Sequence, residues 1–144
     1  MSHLPILLVE DNDDDATLTV MAFKEAKIAN PIVRAHDGAE ALAYLLGSDG
    51  QTIPPASTLP AVVLLDLNLP LVGGLAVLKQ IRAAPRTQFL PVVILTSSDE
   101  DRDRADAYAN HANSYVRKPV DYDQFVRASR DLGLYWTVTN LRAP

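Results

Sequence analysis

The sequence predicts an α/β fold, a doubly wound five-stranded parallel sheet sandwiched between two layers of helices. Three observations lead there. Short apolar runs recur at residues 6–9, 31–35, 61–65, 92–95 and 114–116. Stretches with helical spacing lie between them, and turn-forming residues separate the two kinds of segment. Runs such as Val62-Val63-Leu64-Leu65 and Val92-Val93-Ile94-Leu95 show no polar alternation, as expected of strands covered on both faces.

The elements follow in the order βαβαβαβαβα. Leu18, Met21, Ala22 and Ala26 form the first helical stripe, Ala39, Leu42, Ala43 and Leu46 the second, and Leu75, Leu78 and Ile81 the third. The stretch 100–109 is polar and alanine-rich and predicts a marginal surface helix. Tyr122, Phe125, Val126 and Leu132 form the last stripe. Asp37-Gly38, Pro70 with Gly73-Gly74, Pro85, Pro91 and Lys118-Pro119 all fall between elements. Crossovers between parallel strands are right-handed, and the strand order 2-1-3-4-5 is taken from known five-stranded sheets of this kind. Residues 47–60 form a long polar loop, and 133–144 a tail carrying Leu134, Tyr135 and Trp136.

Size and composition bound the function. The chain has 144 residues, so 1–144 is expected to be a single domain, with 133–144 as its tail. It contains no cysteine, which removes thiol nucleophiles, thiolate zinc sites and disulfides and fits a reducing compartment. The 18 acidic residues outweigh 13 basic ones, for a net charge of −5, which argues against nucleic acid as the main partner. The start lacks the layout of a signal peptide, and no apolar run approaches the roughly 18 residues of a membrane span. A cytoplasmic protein without membrane attachment is expected. One bias stands out. Asp outnumbers Glu 14 to 4, and five of the six residues at 10–15 are acidic.

In an open α/β sheet, ligands bind beyond the carboxyl ends of the strands. The first strand ends in Glu10-Asp11, the third in Asp66, the fourth in Thr96-Ser97 and the fifth in Arg117-Lys118-Pro119. Three carboxylates, a hydroxyl and a lysine therefore converge on one edge. Packed carboxylates repel unless a cation joins them, and hard oxygen donors suit Mg2+. An aspartate beside such a metal can act as a nucleophile towards phosphorus, and a metal, a lysine and a hydroxyl are suitable partners for the transferred phosphoryl oxygens. Taken singly, each residue has a blander reading. Asp13, Asp14 and Asp15 read as acids at a helix start, Thr96 alone as a cap, and Lys118 alone as a solvated lysine.

These residues resemble the receiver domain of two-component response regulators, a flavodoxin-like fold, over roughly residues 4–132. The matching pieces are Leu7-Leu8-Val9-Glu10-Asp11, Leu64-Leu65-Asp66-Leu67-Asn68-Leu69-Pro70 running to Gly73-Gly74, Ile94-Leu95-Thr96-Ser97, and Tyr115-Val116-Arg117-Lys118-Pro119. The resemblance implies Asp66 as phosphoacceptor, supplied by a phosphohistidine of a sensor histidine kinase. It implies Mg2+, with Mn2+ as a substitute, held by Glu10, Asp11, Asp66 and the backbone carbonyl of Asn68. Thr96 and Lys118 would bind the phosphoryl oxygens, and Thr96 with Tyr115 would form the switch that reports phosphorylation. Lys118-Pro119 is expected to be a cis peptide on the same ground. Such a protein catalyses only its own phosphorylation and dephosphorylation. Glu10 stands where the family more commonly has Asp, and Asn68 and Ser98 occupy positions that tune the phosphoryl lifetime.

The 47–60 loop and the Tyr135-Trp136 tail are similar to small regulators that partner bacterial phytochromes and related kinases. After Lys118 only 26 residues remain, so output is expected to run through the receiver's own surface towards another protein. A homodimer through the fourth helix, fifth strand and fifth helix is expected, with Leu134, Tyr135 and Trp136 packing across it or onto a partner; the alternative is a tail folded back on its own core. The alternatives are a relay intermediate passing its phosphoryl group to a second histidine, a phosphorylation-independent interaction module, and an Mg2+-dependent aspartate-nucleophile phosphatase. The last resembles its class poorly, because a second Asp is wanted where Asn68 stands.

Overall fold

A computed structural model describes residues 4–47, 59–69, 72–96, 101–117 and 122–134. Five strands, β1 (Ile6–Val9), β2 (Ile32–Ala35), β3 (Val62–Leu65), β4 (Val92–Thr96) and β5 (Ser114–Arg117), alternate with five helices. These are α1 (Asp13–Glu25), α2 (Gly38–Leu46), α3 (Gly74–Ala83), α4 (Asp101–Ala109) and α5 (Tyr122–Leu134). All strand pairs are parallel, in the order β2-β1-β3-β4-β5. The chain therefore starts at an inner strand, turns outward to β2, then crosses back to lay β3 against β1.

The sheet is covered on both sides, which explains the missing polar alternation. Leu7, Val9, Val63, Leu65, Val92 and Ile94 share a core with Ala41 and Leu45 of α2 and Val77, Leu78 and Ile81 of α3. The intervening residues Ile6, Leu8, Val62, Leu64 and Val93 pack with Ala16 and Phe23 of α1. Leu95 joins Ala22 and Ala26 of α1 and Val126 of α5. Alternate residues of each strand thus serve different layers, and nearly all are apolar because both layers are dry.

The helix phases match the sequence reading in part: Ala22, Ala26, Leu78, Ile81 and Val126 are buried as expected, and other positions differ. On α1 the buried residues are Ala16, Thr19, Ala22 and Phe23, while Leu18 and Met21 are 43% and 50% exposed. Phe23 fills the space over β1, β3 and β4, and the small Ala22 faces Val126 of α5. The Thr19 hydroxyl is satisfied by donating to the Asp15 carbonyl at 2.9 Å. On α2 the buried set is Gly38, Ala41 and Leu45, one position away from the expected stripe, and Ala39 is exposed. That helix is apolar almost all round, so its periodicity does not fix its phase. On α3, Val77 takes a core position and Leu75 is half-buried. The polar α4 buries Ala107. Helix α5 runs through Gly133 to Leu134, two residues into the expected tail, because one glycine costs a helix only about 1 kcal/mol.

At the amino ends of β4 and β5, Arg82 ties three segments together. Its five N–H groups donate to the carbonyls of His111 (3.0 and 2.8 Å), Gln88 (3.2 Å) and Leu90 (2.7 Å) and to Asn113 Oδ1 (2.9 Å). Burial lowers its pKa from the usual guanidinium value. The donors are matched by neutral acceptors, so this arginine is a brace for the scaffold, at the opposite end of the strands from the carboxylates. No helix among the described residues is long and apolar enough to cross a membrane.

Candidate functional site

The crossover that places β3 beside β1 creates the site. Val9 pairs with Leu65, and the Asp66 N–H donates to the Val9 carbonyl at 3.2 Å. Glu10 and Asp66 are thus the first residues past a matched pair of strand ends. Both are buried, at 2% and 7% exposure, whereas Asp11 is exposed. Carboxylate oxygens of Glu10, Asp11 and Asp66 all lie within 4.8 Å of one another. Two like charges at that distance repel by roughly 1 kcal/mol in water and by about 3–4 kcal/mol at an effective dielectric of 20. Carboxylates brought this close could hold a metal ion between them. The donors are all hard oxygens and are few in number, which fits Mg2+ or Mn2+ with water completing the shell.

The loop carrying the first two acids is pinned at several points. The Glu10 N–H donates to the Ala35 carbonyl at 3.0 Å, and Arg34 donates to the Glu10 carbonyl through Nε at 3.1 Å and Nη2 at 3.0 Å. Asn12 caps α1, its Oδ1 accepting from the Asp15 N–H at 2.9 Å. Asp13, Asp14 and Asp15 fill the first turn, as expected for acids at the positive end of a helix. Asp13 also pairs with Arg34 Nη1 at 2.8 Å.

The Asp66 loop is pinned differently. The Asn68 N–H donates to Asp66 Oδ1 at 2.9 Å, and the Gly74 N–H donates to the Leu67 carbonyl at 3.2 Å. A Cβ on Gly74 would meet the Asp66 carbonyl oxygen at 2.3 Å and the Leu67 Cα at 2.7 Å, whereas one on Gly73 would meet nothing within 4 Å. Of the two adjacent glycines, Gly74 is the one the site needs. It lets the start of α3 press against the backbone of the central aspartate.

The structure thus brings together Glu10, Asp11 and Asp66, with Asn68 beside them. Thr96 ends β4, the strand next to β3, at the same edge of the sheet. Tyr115 lies on β5 opposite Ile94, half-buried, with the Arg104 guanidinium 5.9 Å from its ring centroid. Lys118, the Lys118-Pro119 bond, Ser98 and most of the 47–60 loop fall outside the described residues, as do Tyr135 and Trp136. Sequence reasoning missed Arg34, because a lone basic residue on a strand carries no motif. It also treated Gly74 only as punctuation, since close approach to a backbone leaves no mark beyond the glycine itself.

The model of the response regulator receiver domain family matches residues 6–130. The chain belongs to that family. Among similar proteins, the probable methanogenesis regulatory protein FilR2 of Methanothrix harundinacea is 42% identical over 96% of this receiver and 86% of its own length. Response regulator Rcp1 of Synechocystis is 32% identical, covering 93% of this chain and 89% of its own. The phosphorylated cyanobacterial phytochrome response regulator RcpA superposes with a TM-score of 0.86 at 31% identity, over 99% of this chain and 100% of that one. The Mn2+-bound form of Rcp1 gives 0.83 at 30% identity, over 98% and 99%. This receiver is therefore a two-component signalling protein, close to the stand-alone regulators associated with phytochromes.

Because Gly74 is pressed against the Asp66 backbone, Gly74→Ala is expected to lower the unfolding free energy by about 2–3 kcal/mol in urea titrations. Gly73→Ala, facing open space, should stay within about 0.5 kcal/mol of wild type. Equal effects at the two positions would contradict this assignment.

Proposed function

We propose that this receiver is a stand-alone response regulator that takes a phosphoryl group from a phosphohistidine of a sensor histidine kinase onto Asp66. The observation that carries the reading is the convergence of Glu10, Asp11 and Asp66 within 4.8 Å at the ends of adjacent strands. Glu10, Asp11, Asp66 and the Asn68 carbonyl would hold Mg2+, which when bound supplies neutralisation of the phosphoryl oxygens. A carboxylate oxygen of Asp66 forms the new bond to phosphorus as the P–N bond of the donor breaks, and the imidazole nitrogen keeps the electron pair and takes a proton from solvent. The hydroxyl of Thr96 and the ammonium of Lys118 then bind phosphoryl oxygens as direct donors. Thr96 and Tyr115, on neighbouring strands, form the switch that converts the new charge into a change of surface. The likeness to RcpA, a phytochrome response regulator, favours a bacterial phytochrome as the kinase.

The test is chemical. Incubated with Mg2+ and acetyl phosphate, the wild-type chain should gain one phosphoryl group by intact mass, and Asp66→Asn should gain none. An adduct that persists in Asp66→Asn, or no adduct in wild type, would contradict the assignment.

We further propose that output runs through a homodimer face made by α4, β5 and α5, signalling to a downstream protein. β5 is an outer strand of the sheet, and Tyr108 on the adjoining α4 is 49% exposed. Sedimentation equilibrium of the full chain, with and without acetyl phosphate, should give a dimer mass in the phosphorylated state. A monomer mass in both states would rule the face out as a homodimer contact.

A further inference from the structure

We infer that Arg34, on the outer strand β2, is a positioning residue for the metal centre. It would set the orientation of Glu10 and Asp11 by holding the peptide plane between them. This inference rests on the reading of the acidic cluster as a Mg2+ site.

A peptide group is rigid and planar, so the carbonyl of Glu10 belongs to the unit that joins the Glu10 Cα to the Asp11 Cα. That carbonyl lies just past the end of β1, beyond the last pairing of β1 with β2, which joins Val9 to Ala35. A buried carbonyl without a partner is costly, so something other than a strand must satisfy it. Arg34 does so with two N–H groups of one guanidinium, Nε at 3.1 Å and Nη2 at 3.0 Å. Two bonds from a planar group to one oxygen define a direction as well as a distance. The third arm, Nη1, reaches the Asp13 carboxylate at 2.8 Å, so the guanidinium bridges residues on both sides of Asp11.

The scaffold fixes Arg34 in turn. It pairs with Leu8 in the β1–β2 ladder, and its side chain lines a groove with Ala16, Thr17, Val20 and Met21 of α1. Its side chain is only 21% exposed, whereas that of Asp13 is 85% exposed. The bond to the Glu10 carbonyl is therefore the better shielded half of the bridge, and the ion pair with Asp13 is largely screened. Asp11 itself is exposed, so the restraint on its backbone comes from its neighbours. An exposed carboxylate that must join two buried ones around a small cation gains from a fixed starting point, because Mg2+ demands near-ideal octahedral geometry.

Charge and geometry make opposite predictions here, which gives the idea a clear test. A positive side chain beside a cation site repels the cation, so by Coulomb attraction alone removing Arg34 would tighten metal binding. If Arg34 positions the carboxylates, its removal weakens binding despite the gain in negative charge. Partners that orient ligands from outside the coordination shell typically cost 10–100-fold in metal affinity when removed.

Mg2+ affinity is measured by isothermal titration calorimetry on the full chain, for wild type, Arg34→Met, Arg34→Lys and Asp13→Asn, with melting temperatures recorded in EDTA. The expected result is about tenfold weaker Mg2+ binding in Arg34→Met. Arg34→Lys keeps the charge but loses the fork and should also weaken binding, and it remains a readout if the Met variant folds poorly. Asp13→Asn should change the affinity by less than about twofold, because the exposed half of the bridge is screened. Affinity loss that exceeds any loss of metal-free stability distinguishes positioning from a general structural role. Equal or tighter binding in Arg34→Met with wild-type binding intact would overturn the role of Arg34 alone. Failure of the wild type to bind Mg2+ would overturn both this inference and the metal site on which it rests.

Discussion

Three carboxylates brought within 4.8 Å of one another at the ends of β1 and β3 are the constraint on which the rest of this structure depends. The arrangement exists because strands that are not consecutive in sequence are neighbours in space, so Glu10-Asp11 and Asp66 arrive level with each other. No local preference would assemble it. Burying two of these acids side by side is unfavourable for the fold, and the surrounding structure is organised to hold them there. Core residues on both faces anchor the strands, Arg34 and Asn12 hold the loop after β1, and Asn68 and Gly74 hold the loop after β3.

The two arginine braces show how the scaffold separates stability from chemistry. Arg82 meets only neutral acceptors at the amino ends of the strands, where it joins α3, the segment before β4 and the turn after α4. Arg34 lies at the opposite end and bonds to the acidic loop itself. Strand ends in a parallel sheet leave main-chain groups without ladder partners, and a guanidinium fork can satisfy several at once. Used at one end, this fixes the frame. Used at the other, it fixes the groups that meet the ligand.

Much of this was legible in the sequence because the strongest signals are those of burial on two faces. The runs 62–65 and 92–95 read as strands because they are short, rich in β-branched residues and bounded by Pro60 and Pro91, and their ends located the acidic site. Phase was harder. Leu18 and Met21 looked like core because they are large and apolar, yet α1 turns Ala16, Thr19, Ala22 and Phe23 inward and leaves those two exposed. On α2, apolar residues surround the axis, so spacing could not choose a face. Gly133 looked like a stop, but packing of α5 against α1 outweighs the modest penalty of a glycine. Arg34 was invisible for another reason: its role follows from which carbonyl lies beyond the last pairing of β1 and β2, and only the register gives that.

The central claim, that the fold holds mutually repelling carboxylates in place for a divalent cation, is tested most directly by urea unfolding of wild type and Asp11→Asn in EDTA and in Mg2+. In EDTA, Asp11→Asn should be at least as stable as wild type, since one repelling charge is gone. With Mg2+ at about ten times its dissociation constant, wild type should gain about 1.4 kcal/mol and Asp11→Asn much less. A variant less stable than wild type in EDTA, together with no Mg2+-dependent gain in wild type, would contradict the account.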